Sequence, residues 1–457
     1  MGLVYPLPSN RRTSAEAKEI NLENIMGKTV LVVGSGGREH AIVDALSRSP
    51  QVSRIYCAPG NAGIGMQAEN VPIKDTDVAG LLAFAKEKAI DLTVVGPEAS
   101  LSAGIVDAFR AEGLAIFGHT AAATAIESSK EFAKELMAKY DIPTASYKAF
   151  SDYEEAKAYV ASRPFPAVLK YDGLAAGKGV VIAEDMAQAE EALRSMLLDE
   201  SFGKGRVVVE DFLQGPEFSF LCFVNGADVY PMPLSQDHKR AFDGDKGPNT
   251  GGMGAYTGLP FITAQDREFA YTNILCKAAA AMVAEGRPLS GVLYGGLMKT
   301  ADGIKVIEFN ASFGDPETEV ILPLLESDIY DIFYGIACGR AVGTPVWSTD
   351  LTLGVVLASK GYPGSYQKGF EIRGLNHVNA HVYHMGTKAS VISTGSSVIS
   401  TEVEKSPILV TNGGRVLMVV GRGKSLAEIK DKVYKEIEKI DCDNLFYRKD
   451  IAHIALD

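Results

Sequence analysis

Two hydrophobic periods take turns along the chain. Thr29–Val33, Arg54–Cys57, Asp91–Val95 and Leu114–Phe117 are short runs rich in apolar residues. Between them apolar positions recur at helical spacing, through Ala41, Ile42, Ala45 and Leu46, then Val78–Lys88, then Gly104–Glu112. Strands alternating with helices predict βαβ units around a parallel sheet. Residues 27–125 therefore read as an N-terminal α/β domain.

The pattern then changes. Residues 126–190 predict a helix (Ser129–Tyr140), a strand, a helix (Tyr153–Ser162), a strand (Ala167–Lys170), a glycine loop, a strand (Gly179–Ala183) and a final helix. This is a small α+β lobe. Residues 191–340 open with strands at Arg206–Glu210 and Ser219–Val224. A glycine-rich stretch (Gly247–Gly258), a helix over Gln265–Glu285, strands at Gly291–Lys299 and Ile304–Asn310, and a helix from Glu317 to Cys338 follow. Gly339–Asp350, with Pro345 and the only tryptophan, Trp347, reads as a linker. Residues 350–457 predict a mostly β domain with one helix at Ser425–Ile440. Within it, Lys388–Ser406 is rich in Ser, Thr and Val and reads as a hairpin or loop. Residues 1–26 hold Arg11 and Arg12 but no apolar core, and Glu16, Glu19 and Glu23 disfavour a transit peptide. They read as an extra tail, expected to be disordered. The fold class is thus α/β and α+β, multidomain.

Composition narrows the class. The 457 residues suggest about three domains. A net charge of −12 argues against a broad surface for nucleic acid or an anionic membrane. No apolar run approaches the length of a spanning helix. The 5 cysteines are widely spaced without a Cys-x-x-Cys pair, which disfavours zinc clusters and suggests reduced thiols. Glycine is the outlier, with 46 residues.

The glycines point to candidate chemistry. Gly34-Ser35-Gly36-Gly37-Arg38-Glu39-His40 follows a strand and opens a helix. Free N–H groups there can cradle a phosphate; the other reading is a tight turn without a ligand. The dinucleotide pattern fails, because Glu39 stands at its last glycine. Leu169–Val180 is more specific: a glycine-rich flap between two strands, with Lys170 and Lys178 on either side. Such a flap can close over a triphosphate, although two solvated lysines on a hairpin have the same spacing. Val207–Leu213 is an apolar strand that turns polar and can flank adenine, or is plain sheet core; Glu217 can accept from ribose hydroxyls. Glu308 and Asn310 share a strand face at period two, a spacing that suits Mg²⁺ as well as an exposed strand. Phe313–Glu319 is an acidic turn able to cap the next helix. Ser235–Arg240 and Gly247–Tyr256 are a local cationic patch and a bare-backbone loop, for anions or simply at the surface; His238 reads as a hydrogen-bonding loop residue. Neither a Gly-x-Ser-x-Gly nor a His-Glu-x-x-His motif occurs.

With these residues in view, the chain resembles the phosphoribosylamine–glycine ligase (glycinamide ribonucleotide synthetase) family of the ATP-grasp superfamily. The resembling stretches are Gly34–Ala41, Ala58–Gly63, Val95–Glu98, Ser129–Lys134, Leu169–Val180, Ser235–Arg240, Gly247–Tyr256, Val306–Asn310, Phe313–Glu317, Thr411–Leu417 and Tyr447–Ile451. The resemblance implies a pre-ATP-grasp N-terminal domain, an ATP-grasp domain with a mobile small lobe, and a C-terminal domain. It implies that ATP, glycine and 5-phosphoribosylamine give ADP, phosphate and glycinamide ribonucleotide, through glycyl phosphate, early in purine synthesis. ATP would act with Mg²⁺ or Mn²⁺. It carries phosphate contacts to Lys130, Lys170 and Lys178, and adenine and ribose contacts to Glu210, Asp211, Phe212, Leu213 and Glu217. It carries metal ligation to Glu308 and Asn310, substrate contacts to Gly36, Gly37, Asn61, Glu98 and Gly252, and catalytic roles to Lys178, Asp237, Lys239 and Arg240. A cytoplasmic monomer acting on small molecules, with no nucleic-acid or membrane partner, is expected. The chain departs from the family pattern in residues 1–26, in the longer Lys388–Ser406 stretch, and at Ser312, where the family has arginine. Loss of that cation would lower turnover unless a neighbour replaces it. Two other readings stay open: another ATP-grasp carboxylate–amine ligase or biotin-carboxylase-like enzyme, and an inactive nucleotide-binding protein.

Overall fold

Strand Lys28–Gly34 sits in the middle of a five-stranded parallel sheet. Val52–Pro59 and then Glu69–Asn70 lie on one side, Leu92–Val95 and then Ile116–Phe117 on the other. Val30, Leu31, Val32 and Val33 are all fully buried, as a central strand covered on both faces requires. The strand order reverses at Lys28–Gly34, so the crevice at its carboxyl end is where such a sheet takes ligands. The computed structural model describes residues 27–173, 179–199, 201, 203, 205–390 and 408–456. The tail 1–26, the flap tip 174–178 with Lys178, and most of the 388–406 stretch lie outside them.

The small lobe is a four-stranded antiparallel sheet in the order Tyr147–Phe150, Val207–Asp211, Ala167–Tyr171, Val180–Ala183. Helices Tyr153–Ala161 and Met186–Leu197 cover it. The sequence boundary at 190 is therefore corrected. Val207 and Val209 pack with Leu169, Ala183, Leu193 and Met196 in one core, so the lobe closes only with Val207–Asp211.

The third sheet has ten strands. Its path runs Gly303–Asn310, Ser290–Thr300, Glu217–Asn225, Ser235–Asp237, Gly254–Thr257, Leu351–Ser359, Arg415–Gly423, His381–His384. Strands on both sides of the Gly339–Asp350 segment thus share one sheet, through Gly254 opposite Val355 and Tyr256 opposite Leu353. The chain boundary near 350 is not a boundary in the core.

One expected helix is continuous but carries a wider turn, and another is broken. Gln265–Glu285 is a helix over Ala264–Ala270, a π turn at Tyr271–Leu275, and a helix over Cys276–Ala284. Glu317–Cys338 becomes Thr318–Ile321, a 3₁₀ turn at Leu322–Leu324, and a separate helix Ile329–Ala337. Pro323 lacks an N–H, and Asp328 caps the new helix by accepting from Tyr330 N at 3.0 Å. Among the described residues no helix is long and apolar enough to cross a membrane. All five cysteines are unpaired.

Candidate active site

A cleft of about 340 Å³ lies where the small lobe faces the large sheet. Helix Lys130–Lys139 lines it with Lys130, Ala133, Lys134 and Met137, a single face at spacings of three and four. Ser129 caps that helix, accepting from Phe132 N at 3.1 Å. The lobe strands add Val168, Lys170, Val180 and Ile182, and the chain leaving Val207–Asp211 adds Phe212 and Leu213. The large sheet adds Met298, Ile307, Glu308 and Asn310. Each side of the cleft thus combines apolar side chains with cations or carboxylates. Such a cleft suits a flat ring at one end and an anion at the other.

The charged side chains are interlocked. Glu210 is shared by Lys170 (Nζ to Oε1, 2.9 Å) and Lys134 (Nζ to Oε2, 2.8 Å). The Lys170 contact is an ion pair without hydrogen-bond alignment, since Glu210 Oε1 has no aligned donor among the described residues. Lys170 Nζ instead donates to Ile307 O at 2.9 Å, beside Glu308. Burial pulls Lys134 down to about 8, with Lys170 adding to the effect and Glu210 opposing it. Lys134 ends one of the resembling stretches but is not among the contacts expected from sequence, although it stands one helical turn after Lys130. Burial alone would raise Glu308, but Lys239, Lys170 and Lys130 outweigh it and hold the carboxyl below its ordinary range. Glu308 and Asn310 point into the cleft from alternate positions of one strand and offer hard oxygen donors, so they fit a divalent cation. Lys130 Nζ donates to Gly173 O at 3.1 Å, at the root of the flap. Lys239 pairs with Glu217 at 2.9 Å, and both line the cleft. Lys178 lies outside the described residues.

Other expected contacts are placed differently. Ser35 N and Gly36 N donate to Glu39 Oε2, at 3.1 and 2.6 Å. The helix start Gly37–Ser47 is therefore capped by its own carboxylate, and those N–H groups are not free for phosphate as expected. Asn61 is buried and fully engaged: it donates to Ser35 O and His384 O and accepts from Gly63 N and Ile64 N. It holds the loop together and presents nothing to a ligand. Arg240 donates to Gly247 O across its own hairpin and does not line the cleft, because neighbouring residues of extended chain face opposite ways. Asp237 also lies off the cleft lining; burial raises it to about 7 against the pull of Lys239. His238 is buried and accepts from Ala452 N at 3.2 Å; burial keeps it neutral, down to about 3.

Gly36, Gly37 and Gly252 meet at a second place, where the three units join. A Cβ on Gly37 would lie 2.2 Å from Glu319 Oε1, and one on Gly252 would lie 2.4 Å from Pro316. Arg415 donates to Asp315 O at 2.6 Å and to Gly251 O. Glu319 is fully buried, and neither of its carboxyl oxygens has a hydrogen-bond partner among the described residues. Burial, with Asp315 adding to it, pushes its carboxyl well above the ordinary range. Arg38 donates to Phe313 O at 2.9 Å, beside buried Ser312, and lies 3.7 Å from Glu98 of the cleft. A cation thus stands next to the position where arginine was missed. Glu127 joins this seam: it lines the cleft and accepts from Ala311 N at 2.7 Å.

A two-layer lobe closing on a large sheet, with lysines across from paired oxygen donors, defines an ATP-grasp protein. Family models of phosphoribosylglycinamide synthetase match this chain in three parts: the N domain over 28–127, the ATP-grasp (A) domain over 128–318 and the C domain over 352–454. The chain belongs to the phosphoribosylglycinamide synthetase family. It is 49% identical over 428 residues to a phosphoribosylamine–glycine ligase of Listeria monocytogenes, covering 93% of this chain and 99% of that protein. To that of Halalkalibacterium halodurans it is 50% identical over 431 residues, covering 93% and 97%. The crystal structure of phosphoribosylamine–glycine ligase from Thermotoga maritima superposes with a TM-score of 0.78 at 32% identity, over 93% of this chain and 100% of that one. The biotin carboxylase domain of Hydrogenobacter thermophilus 2-oxoglutarate carboxylase shares the fold alone, with a TM-score of 0.65 at 16% identity over 92% of each chain.

Proposed function

We propose that the chain joins glycine to 5-phosphoribosylamine at the expense of ATP, giving glycinamide ribonucleotide, ADP and phosphate in purine biosynthesis. The observation that carries this reading is the cleft itself: lysines Lys130 and Lys170 across from Glu308 and Asn310 on one strand face. Adenine would stack between Val168, Ile182 and Met298, against the segment Glu210–Leu213, with Glu217 toward the ribose. Lys130, Lys170 and flap residue Lys178 would hold the phosphates. Glu308 and Asn310 would hold Mg²⁺ or Mn²⁺, which neutralises charge on the phosphoryl oxygens.

The chemistry needs positioning more than a protein nucleophile. A glycine carboxylate oxygen attacks the γ-phosphorus, the bond to the β–γ bridging oxygen breaks, and ADP leaves. The amine of phosphoribosylamine then attacks the carbonyl carbon of glycyl phosphate, the carbon–oxygen bond to phosphate breaks, and an amide forms with loss of a proton. Lys239 would steady the acyl phosphate, with Asp237 behind it. Phosphoribosylamine would sit at the junction of the three units, against Gly36, Gly37 and Gly252. Arg415 and Arg38 supply cations there, beside the buried carboxyl of Glu319, which burial pushes well above its ordinary range. Asn61 and Arg240 would act by shaping their loops. The enzyme would be a cytoplasmic monomer, in keeping with its net charge of −12 and small-molecule substrates.

The test supplies ATP, Mg²⁺ and phosphoribosylamine formed from ribose 5-phosphate and ammonia, and follows ADP with and without glycine. Glycine-dependent ADP release is expected. ADP release that ignores glycine, or that requires bicarbonate in its place, would refute the reading.

A further inference from the structure

The largest fully buried side chain among the described residues is an arginine, Arg448, 1% exposed and near the end of the C-terminal unit. Burying a guanidinium is costly unless every donor is used and the geometry matters. Here its donors are used in one place. Arg448 grips Asp450 with two parallel bonds, Nε to Oδ1 at 2.7 Å and Nη2 to Oδ2 at 2.8 Å. Its Nη1 donates to Arg240 O at 3.1 Å and to Asp245 Oδ1 at 2.8 Å. Both acceptors belong to a hairpin of the central unit, Arg240–Phe242 paired with Lys246–Asn249. Asp245, at φ 52°, holds the left-handed turn of that hairpin. Neighbouring backbone reinforces the grip: Gly244 N donates to Asp450 Oδ2 at 2.8 Å, and Lys449 N to Asp243 Oδ1 at 2.7 Å.

The hairpin leads straight to the cleft. Lys239 precedes its first strand, Asn249 ends its second and Thr250 follows; all three line the cleft. Thr250 closes the base of the hairpin, donating to Lys239 O from both its N–H (2.7 Å) and its hydroxyl (2.8 Å). We propose that Arg448 is a positioning residue for nucleotide binding: by clasping the turn and first strand of this hairpin it sets where Lys239, Asn249 and Thr250 stand. The C-terminal unit thereby completes a cleft it does not line. The proposal rests on the reading of that cleft as the ATP site.

Two variants of the full chain test it. Arg448→Lys keeps the charge but cannot reach three acceptors at once. Asp245→Asn removes the charge from the link at the half-exposed turn, weakening its pairing with Arg448 and its 3.2 Å contact with His453 while leaving the grip on Asp450 intact, so it remains informative if Arg448→Lys does not fold. MgADP affinity is measured by titration calorimetry, alongside amide hydrogen exchange of residues 240–250. Asp245→Asn is expected to weaken MgADP binding about fivefold and speed exchange in the hairpin, with the double variant no weaker than the more affected single one. Parental affinity in folded Asp245→Asn, or strictly additive effects in the double variant, would overturn the clasp. A merely structural role would shift the melting temperature and leave the affinity unchanged. A parent protein that binds no MgADP would instead overturn the nucleotide reading, a result seen before any substitution is made.

Discussion

Glu210 serves two buried lysines with one carboxylate, and its removal shows how tightly the cleft balances charge. With Lys134 and Lys170 each under 5% side-chain exposure (3% and 4%), Glu210→Gln leaves two cations facing each other in a poorly solvated wall. Breaking such a group costs far more than its net contribution, because the remaining charge stays buried. Denaturant unfolding is expected to show a loss of about 3 kcal/mol. Ser312 is a second residue whose meaning changed. An arginine there would crowd Arg38, which already donates to the neighbouring Phe313 O. Ser312→Arg is therefore expected not to raise kcat/KM, whereas Arg38→Met is expected to lower it at least about tenfold by removing a cation beside the proposed phosphoribosylamine site. Steady-state kinetics of the two variants checks both statements; a higher kcat/KM in Ser312→Arg would restore the simpler idea that the serine is a handicap.

At the scale of elements, the pairing of Gly254–Thr257 with Leu351–Ser359 is the seam that makes one sheet from two stretches of chain. Gly254 has φ 154°, and a Cβ there would lie 2.6 Å from Gly354 O and 2.9 Å from Ile451. Backbone cannot yield as a flexible side chain can. Gly254→Ala is expected to destabilise the fold by about 3 kcal/mol, read from thermal unfolding with circular dichroism. Most strands and several helices were legible from period and turn residues: the helix expected over Ser129–Tyr140 spans Lys130–Lys139 with Ser129 as its cap. The helix expected from Glu317 to Cys338 was not, because the apolar residues on both sides of Pro323 keep a helical rhythm while proline and Asp328 reset the backbone. Strand Val207–Asp211 was recognised, but its lobe was not, since antiparallel partners leave no mark in a strand's own sequence.

Across the whole molecule, Glu127 ties the three-way seam to pH. Burial, with Glu98 adding to it and Ala311 N opposing, raises its carboxyl to about 8. The folded state therefore holds a proton that the unfolded chain has released above its ordinary pKa near 4.5. The sign follows: this contribution is fully present below that pH and is lost as pH rises toward 8. Glu127→Gln is expected to flatten the fall in stability between pH 5 and 8, measured by denaturant midpoints across that range. Equal slopes in parent and variant would assign the pH dependence elsewhere.

By itself the amino-acid order determined the local elements, the glycine-rich turns, the spacing of Glu308 and Asn310 on one strand and, through long matching stretches, the family. These are properties of residues close in sequence, where period, turn chemistry and motif spacing act directly. Only the tertiary structure decided that Glu39 takes the N–H groups of the first glycine turn, that Asn61 is spent on bonds to its own loop, to Ser35 and to His384, and that Lys134 stands in the cleft. It alone joined Gly37 to Glu319 and Arg448 to Asp245, contacts between residues hundreds of positions apart. Burial and long-range pairing set which donors remain free and which charges feel one another, and neither is written in local spacing.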